Sequence, residues 1–474
     1  MPPPDFDGVL DTATTAARSY LASLSERAVY RPVDPDEVRA VVARELTEQG
    51  VAAEQVVAEL ARDVEPYVAA HASGRYFGFV IGGLHPAAYG AELLVSTWDQ
   101  NAALFGPMAG VSGVEEVAAR WIVELLGLPA GSSLGFVTGG QMANFTCLAA
   151  ARDHVLREVG WDVEADGLPG APRINVVLKT GKHTTVTRAL RYLGLGERTA
   201  VEVASDDEDR FVLDELRMTL AGLEGPTIVC AEAGNVNTGA FDRFTAIADM
   251  ADDHRARGNP TWVHVDGAVG LLAAASATRS ELTDGVGRLD SWSTDGHKLL
   301  NVAYDCGIAI CRHAASHHAA TSVRASYLIQ GDGEVRDPFE WTPDFSRRAR
   351  GVGVYATLRS LGRSGVADLV DRTCRMAQRF AAELQGSGRA TVVNDVAFNQ
   401  VLVHWHAPDG RDRDEVNDAV ITAIQTDGPT YASPTTWRGE RLMRISVSDW
   451  ATDEDDVDRA VAAMLRCHDQ VCAG

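Results

Sequence analysis

Lysine is almost missing from this chain: among 43 basic residues in 474, only Lys179, Lys182 and Lys298 are lysines and the rest are arginine. Any chemistry that needs a side-chain primary amine therefore has three places to occur. Cysteine is sparse too, seven residues with no Cys-x-x-Cys pair, which speaks against a disulfide framework and predicts reduced, mostly buried thiols. No uncharged apolar run approaches the ~20 residues of a spanning helix. The opening MPPPDFDGVL has neither a basic nor an apolar leader region, so a cytoplasmic protein without membrane association is expected. Positive charge is short overall: 66 acidic residues leave a formal net charge of -23, which repels phosphate backbones and argues against a nucleic-acid partner.

What is present is an ordinary globular composition, 46% hydrophobic, with no repeat and no low-complexity tract. The first seventy or so residues read as helical, with Asp34-Pro35-Asp36-Glu37 supplying a cap, a proline at the first helical position and a capping-box acid. From there short apolar runs alternate with helical patterns: RINVVLK (173–179), PTIVCAEA (226–233), TWVHVDG (261–267), DSWST (290–294) and CGIAIC (306–311). That alternation predicts an α/β architecture, a mainly parallel sheet covered by helices. After residue 346 a long helical run, the alternating FNQVLVHWH (398–406), a strand pair and a closing amphipathic helix predict a small α+β domain. The expected division is an N-terminal helical arm, 1–74, a large domain, 75–345, and a small C-terminal domain, 346–474.

Four places carry candidate chemistry. In GFVTGGQMAN a strand runs through Gly139, Gly140 and Gln141 into a helix, where free amides and the helix dipole suit an anion; a tight turn alone is an equal alternative. In VHVDGAVG, Asp266 ends a strand, where open α/β sheets bind ligands, and Gly267 and Ala268 leave room for a flat ring; taken singly it could as well be a helix cap. In STDGHKLLN, Lys298 follows Asp295 and His297 just beyond another strand, and a buried amine there can form a Schiff base with a carbonyl; the alternative is a surface lysine beside a turn. In TGKHTTV, His183 is either a ring-stacking or proton-relaying imidazole or a satisfied loop histidine. Together these supply an anion cradle, an acid for a ring nitrogen, a carbonyl-capturing amine and a flat side chain, the four services pyridoxal phosphate needs. Other clusters are weaker. Cys311, His313 and His317 are spaced as a helical metal pair would be but lack a fourth ligand, so no metal is expected.

The order TGGQMAN, KHTTVTRALRYLG, HVDGAVG, DGHKLL and MRISVSDWATDEDD resembles the pyridoxal-dependent decarboxylases that include glutamate, histidine and aromatic amino acid decarboxylases. The resemblance runs from about Tyr76 to Met464. It implies the aspartate-aminotransferase-like fold, pyridoxal phosphate fold type I, a homodimer with sites at the subunit interface, and loss of the α-carboxylate of an amino acid as carbon dioxide. By the same resemblance Lys298 is similar to the aldimine lysine, His297 to its neighbour at the phosphate, Asp266 to the acid on the ring nitrogen, Ala268 to the residue behind the ring and His183 to the stacking histidine. Asn235, in AGNVNTGAFD, falls near the ring hydroxyl and substrate carboxylate, and Arg444, in MRIS, at the substrate carboxylate. Phe79 and its neighbours Tyr76, Phe77, Trp98 and Phe105 fall in a segment that lines the pocket in similar proteins, which tilts the expected side chain toward aromatic or bulky apolar. Two departures stand out. Gln141 replaces the usual serine after the glycine pair, and in RDPFEWTPDFSRR Trp341, Arg347 and Arg348 align while Pro338 falls at the loop tyrosine thought to protonate the α-carbon. His183, Tyr327 or Tyr355 could replace that acid, or the product could be an aldehyde instead of an amine. An amine-forming decarboxylase therefore competes with a decarboxylating aldehyde synthase, or another carbon-lyase or transaminase on this fold, and with a non-catalytic homologue.

Overall fold

The apolar runs at the centre of the chain pair into one seven-stranded sheet in the computed structural model, which describes residues 6–323 and 336–473. In chain order the strands are β1 Tyr76–Phe77, β2 Ser133–Val137, β3 Asn175–Lys179, β4 Val201–Val203, β5 Thr227–Glu232, β6 Thr261–Asp266, β7 Ser291–Asp295, β8 Gly307–Cys311, β9 Ala390–Val392, β10 Gln400–Trp405, β11 Tyr431–Trp437 and β12 Glu440–Ser446. The large sheet runs β2-β8-β7-β6-β5-β3-β4. Pairing is parallel from β7 to β4, and the architecture is the α/β one expected. β8 is the exception, antiparallel to both neighbours, because it returns directly from the turn after β7 with no crossover helix.

Every residue of β2, β5, β6, β7 and β8 is buried, as it must be in a sheet covered on both faces. Helices Gly140–Arg157, Thr184–Tyr192 and Phe244–Ala256 follow β2, β3 and β5, so the residues just past those strands gather along the carboxyl edge. Trp262 and Trp292, both fully buried, fill the space between sheet and helices.

The second sheet, β1-β11-β12-β10-β9, has its own core built on Phe380, Trp405, Ile424, Ile445 and Met464. Its edge strand is β1, which pairs parallel with β11, so the segment beginning at Arg75 opens in the small sheet although its sequence pattern groups it with the large domain. The helix Gly351–Gly386 also bridges the two cores: Val354, Leu358 and Val370 pack with the large sheet, Met376, Phe380 and Leu384 with the small one. Its backbone breaks at Gly362, where φ is 63°. The N-terminal helices Asp7–Ser23, Pro35–Val42 and Ala53–Val64 bury no residue, and Asp34 caps the second by accepting from Asp36 N.

One side chain ties these parts together beside the carboxyl edge. Asn301, buried with φ at 57°, accepts from Gly83 N at 2.6 Å and Trp450 N at 3.0 Å through Oδ1, and donates to Ser448 O at 3.0 Å. Gly82 lies so close to this turn that a Cβ there would sit 1.9 Å from Lys298 O.

Candidate active site

The ends of β2, β3, β5, β6 and β7 surround a cavity of about 260 Å³ whose lining includes Gly139, Gln141, His183, Asp266, Ala268 and Lys298. Residues far apart in sequence arrive there because each follows a strand that runs in the same direction, β2 included, since β8 alone is reversed.

Gly139 and Gly140 open the helix Gly140–Arg157. Gly139 has an extended backbone (φ 169°), so conformation does not demand glycine here; space does. A Cβ on Gly140 would lie 2.8 Å from Asp295 Oδ2, and one on Gly139 3.3 Å from His297 Cε1. Gln141 donates from Nε2 to Thr185 O at 3.3 Å, and its buried Oε1 has no partner.

Asp266 is buried and its carboxylate is held from several sides. Asn144 Nδ2 donates to Oδ2 at 2.9 Å and Ala268 N to Oδ1 at 3.2 Å. Asn144 in turn accepts from Ser293 Oγ at 2.6 Å and pairs with His264 Nε2 at 2.9 Å. Burial opposes the charge on Asp266, but His183, Asn144, His264 and Lys298 outweigh it and hold the carboxyl below its usual range. An ionised acid at the end of β6 can therefore keep a facing ring nitrogen protonated.

Lys298 is the only lysine lining the cavity among the described residues. Its Nζ lies 3.1 Å from Asp295 Oδ2, while Asp295 Oδ1 is buried without a hydrogen bond. His297 accepts from Cys306 N at 3.0 Å through Nδ1 and stacks on Tyr304 with ring centroids 4.2 Å apart. His183 caps the helix Thr184–Tyr192, its Nδ1 accepting from Thr185 N at 3.3 Å. Burial pushes both histidines below the ordinary imidazole range, against the pull of Asp266 on His183 and of Asp295 on His297.

The remaining candidates fall elsewhere. Asn235 is buried beside the cavity with its amide already engaged: Nδ2 donates to Glu232 Oε2 at 3.0 Å and Oδ1 accepts from Asn237 N and Thr238 N. It is not among the residues that line the cavity, which its neighbours Gly234 and Val236 do line. Arg444, on β12, is 8% exposed with no acidic partner among the described residues; Nη1 donates to Asn237 Oδ1 at 3.3 Å and Nε is buried and unpartnered. Burial lowers its pKa to about 10. Phe79 is 56% exposed, its ring 6.1 Å from Tyr431, and lies outside the cavity lining. Pro338 begins a short 3-10 turn, Pro338–Trp341, packed on β2 away from the cavity. Tyr355 stacks on Trp121 in the core beneath the sheet, and Tyr327 lies outside the described residues. His313 pairs with Asp290 and His317 with Ser133 Oγ and Trp341 O, so Cys311 and these histidines face different partners.

Sequence reading missed Asn144, His264, Ser293 and Glu232. Asn144 stands one helical turn after Gly140 and His264 two residues before Asp266, so helix and strand periodicity each put them on the face of a residue already singled out. The residues present fit pyridoxal phosphate: unpaired helix-start amides beside two glycines whose Cβ atoms would crowd the turn, an ionised acid, an accessible amine and two orphaned buried polar groups.

Fold and site thus define an enzyme that works through pyridoxal phosphate. The sequence profile of the pyridoxal-dependent decarboxylase conserved domain matches residues 35–405, and the chain belongs to that family, whose members are carboxy-lyases acting on amino acids. It is similar to tryptophan decarboxylase 1 of Oryza sativa subsp. japonica, 27% identical over 429 residues that cover 85% of this chain and 82% of that one. The solved structure of Oryza sativa TDC with PLP and tryptamine has a TM-score of 0.90 at 23% identity, covering 100% of both chains. That of Rhodiola rosea 4-hydroxyphenylacetaldehyde synthase has a TM-score of 0.85 at 20% identity, covering 99% of this chain and 100% of the other. These two likenesses establish the fold. No described helix is long and apolar enough to cross a membrane.

Proposed function

We propose that this enzyme decarboxylates an L-amino acid with an aromatic or bulky apolar side chain to the corresponding amine, and that Lys298 is the residue to which the cofactor is attached. The observation that carries the reading is the convergence of Lys298, Asp266, His183 and the glycine turn on one cavity. Bound pyridoxal phosphate supplies an aldehyde that captures amines and a protonated ring that accepts the electron pair left when carbon dioxide departs. The chain's own residues do the rest. The amides at the start of the helix Gly140–Arg157 receive the phosphate, with His297 beside them. Asp266 would keep the proton on the ring nitrogen, and Ala268 and His183 would hold the ring within the cavity they line. Asp295 holds the Lys298 ammonium until the amine reacts. Arg444, a buried cation without an acid, is the group for the substrate carboxylate, and Asn235 acts at one remove by fixing residues 234–236. A tight ion pair to the departing carboxylate would slow its loss, so the single long contact of Arg444 to Asn237 suits a transient role.

The aromatic preference is supported by the likeness to the rice tryptophan decarboxylase. We also read the protein as a cytoplasmic homodimer with sites at the subunit interface. The apolar residues that one chain leaves exposed, Phe79, Leu93, Leu94 and Trp98, support a partner copy, which light scattering would detect. Borohydride fixation followed by peptide mapping tests the core of the proposal; a label on Lys179 or Lys182 would end it. Pro338 favours a second reading, in which dioxygen is the oxidant and water supplies the oxygen of an aldehyde product, released with carbon dioxide, ammonia and hydrogen peroxide. Incubation with a mixture of amino acids, scored for amine, aldehyde and peroxide, separates the two.

A further inference from the structure

A charged cluster in the cavity wall is left unused by this mechanism. Lys179, at the end of β3 and 2% exposed, has Nζ 2.8 Å from Glu232 Oε2 and 3.3 Å from Asp242 Oδ2. One ammonium serves two carboxylates, so the cluster is negative unless one acid keeps its proton. The acids are not equivalent. Asp242 accepts from Phe211 N and from Glu232 N, each at 2.8 Å, and these backbone donors solvate its charge. Glu232 is engaged through Oε2 alone, by Lys179 and Asn235, and Oε1 has no hydrogen bond among the described residues although the side chain lines the cavity.

Glu232 and Asp266 are direct partners in the parallel register of β5 and β6, so two carboxyl groups meet at neighbouring strand ends. Asp266 is held ionised, whereas burial and the charge of Asp266 push Glu232 up to about 7 against the pull of Lys179. Acids whose proton affinities are driven apart in one site divide the donor and acceptor roles. The charged groups facing Glu232 are Lys179 from β3, Asp242 from the segment after β5 and Asp266 from β6, with His183 and Lys298 across the cavity.

We propose that Glu232 is a second acid of the cofactor site: protonated, it donates a hydrogen bond from Oε1 to the ring oxygen of bound pyridoxal phosphate and delivers its proton there, with Lys179 and Asp242 as positioning residues. In that transfer one O–H bond breaks at Glu232 and one forms at the anionic ring oxygen. The electron pair stays on the carboxylate, which faces the Lys179 ammonium that it shares with Asp242, and no further reactant is needed. The inference rests on the reading of Lys298 and Asp266 given above.

The test is the visible absorption of the holoenzyme as a function of pH. Wild type should show a transition centred near neutrality, and E232Q, which keeps the geometry, should lack it. K179M removes a cation and should raise the proton affinity of the site by about tenfold or more, one pH unit upward; D242N removes an anion and should shift the transition the other way. Opposite shifts are not produced by a loss of packing. In the apoprotein, difference infrared spectroscopy should register a protonated carboxylic acid that E232Q abolishes, so the inference stays testable if K179M fails to fold. Borohydride mapping on the same samples separates the two levels of the argument. Lys298 labelled with no transition, or with one that E232Q leaves unchanged, overturns the role of Glu232 alone, whereas a label elsewhere removes both.

Discussion

Replacing Asn144 with leucine should change the acidity of the site without touching any group that meets the substrate. Asn144 is fully buried and joins four partners: Asp266 at 2.9 Å, Thr185 Oγ1 at 3.1 Å, Ser293 Oγ at 2.6 Å and His264 Nε2 at 2.9 Å. Leucine keeps the branched shape, adds the bulk of two methyl groups and makes none of these bonds. A hydrogen bond to a charged group contributes about 1.5–3 kcal/mol, so losing the one to Asp266 should raise that carboxyl by about one to two pH units. On the proposed reading Asp266 is ionised when it holds the ring proton, and the acid limb of the kcat/KM profile should therefore move up by that amount while the alkaline limb stays. Ser293 and His264 lose a buried partner, so the apoprotein should also be destabilised, by about 1–3 kcal/mol in denaturant unfolding. An acid limb that stays in place while stability falls would make Asn144 a packing residue and refute the argument.

Three further expectations follow from the geometry. Gly140→Ala drives a methyl group toward the Asp295 carboxylate, which cannot retreat because it is buried and tied to Lys298; overpacking of about 1–3 kcal/mol should appear as at least tenfold faster loss of cofactor on dialysis. Glu115→Ala strands the guanidinium of Arg347, 5% exposed and held at 2.6 Å and 3.1 Å by that carboxylate, and should cost about 3–5 kcal/mol in urea unfolding; a loss under about 1 kcal/mol would show that water reaches the pair. Because Glu232 has a raised pKa in the fold, its contribution is intact below its ordinary value of 4.5 and is lost as pH rises through about 7. Wild-type apoprotein should accordingly lose up to about 3 kcal/mol relative to E232Q over that window; parallel stability curves for the two would contradict it.

The large sheet was legible in the sequence because most of its strands are short, largely apolar and separated by helices, and the rule that parallel strand ends hold ligands puts Asp266, Lys298 and His183 on one edge. The reversal of β8 was not legible, since an apolar run looks the same in either direction and only the short return from the Lys298 turn fixes its sense. Nor was the place of β1, whose two residues pair with a strand more than 350 positions later. Asn144, His264 and Ser293 are polar residues at buried positions, which pattern reading takes as breaks in a core; that they satisfy one another beneath Asp266 is a property of packing. Asn235 and Phe79 show the converse. Asn235 is engaged by Glu232 and by the amides of residues 237 and 238, and Phe79 is 56% exposed, so neither side chain lines the cavity formed by one chain, which residue pattern alone does not reveal.

The Asn301 clasp has a bearing on how the molecule is assembled. The turn bearing Lys298 is braced by Gly83 from the early part of the chain and by Trp450 from near its end, so a fragment must span at least residues 83–450 to hold both supports. The strands of the large sheet all lie within 133–311, whereas this turn gains its last braces only once both ends of the chain have come home. A protein truncated before residue 448 would keep the strands of its large sheet and leave the turn unbraced on one side.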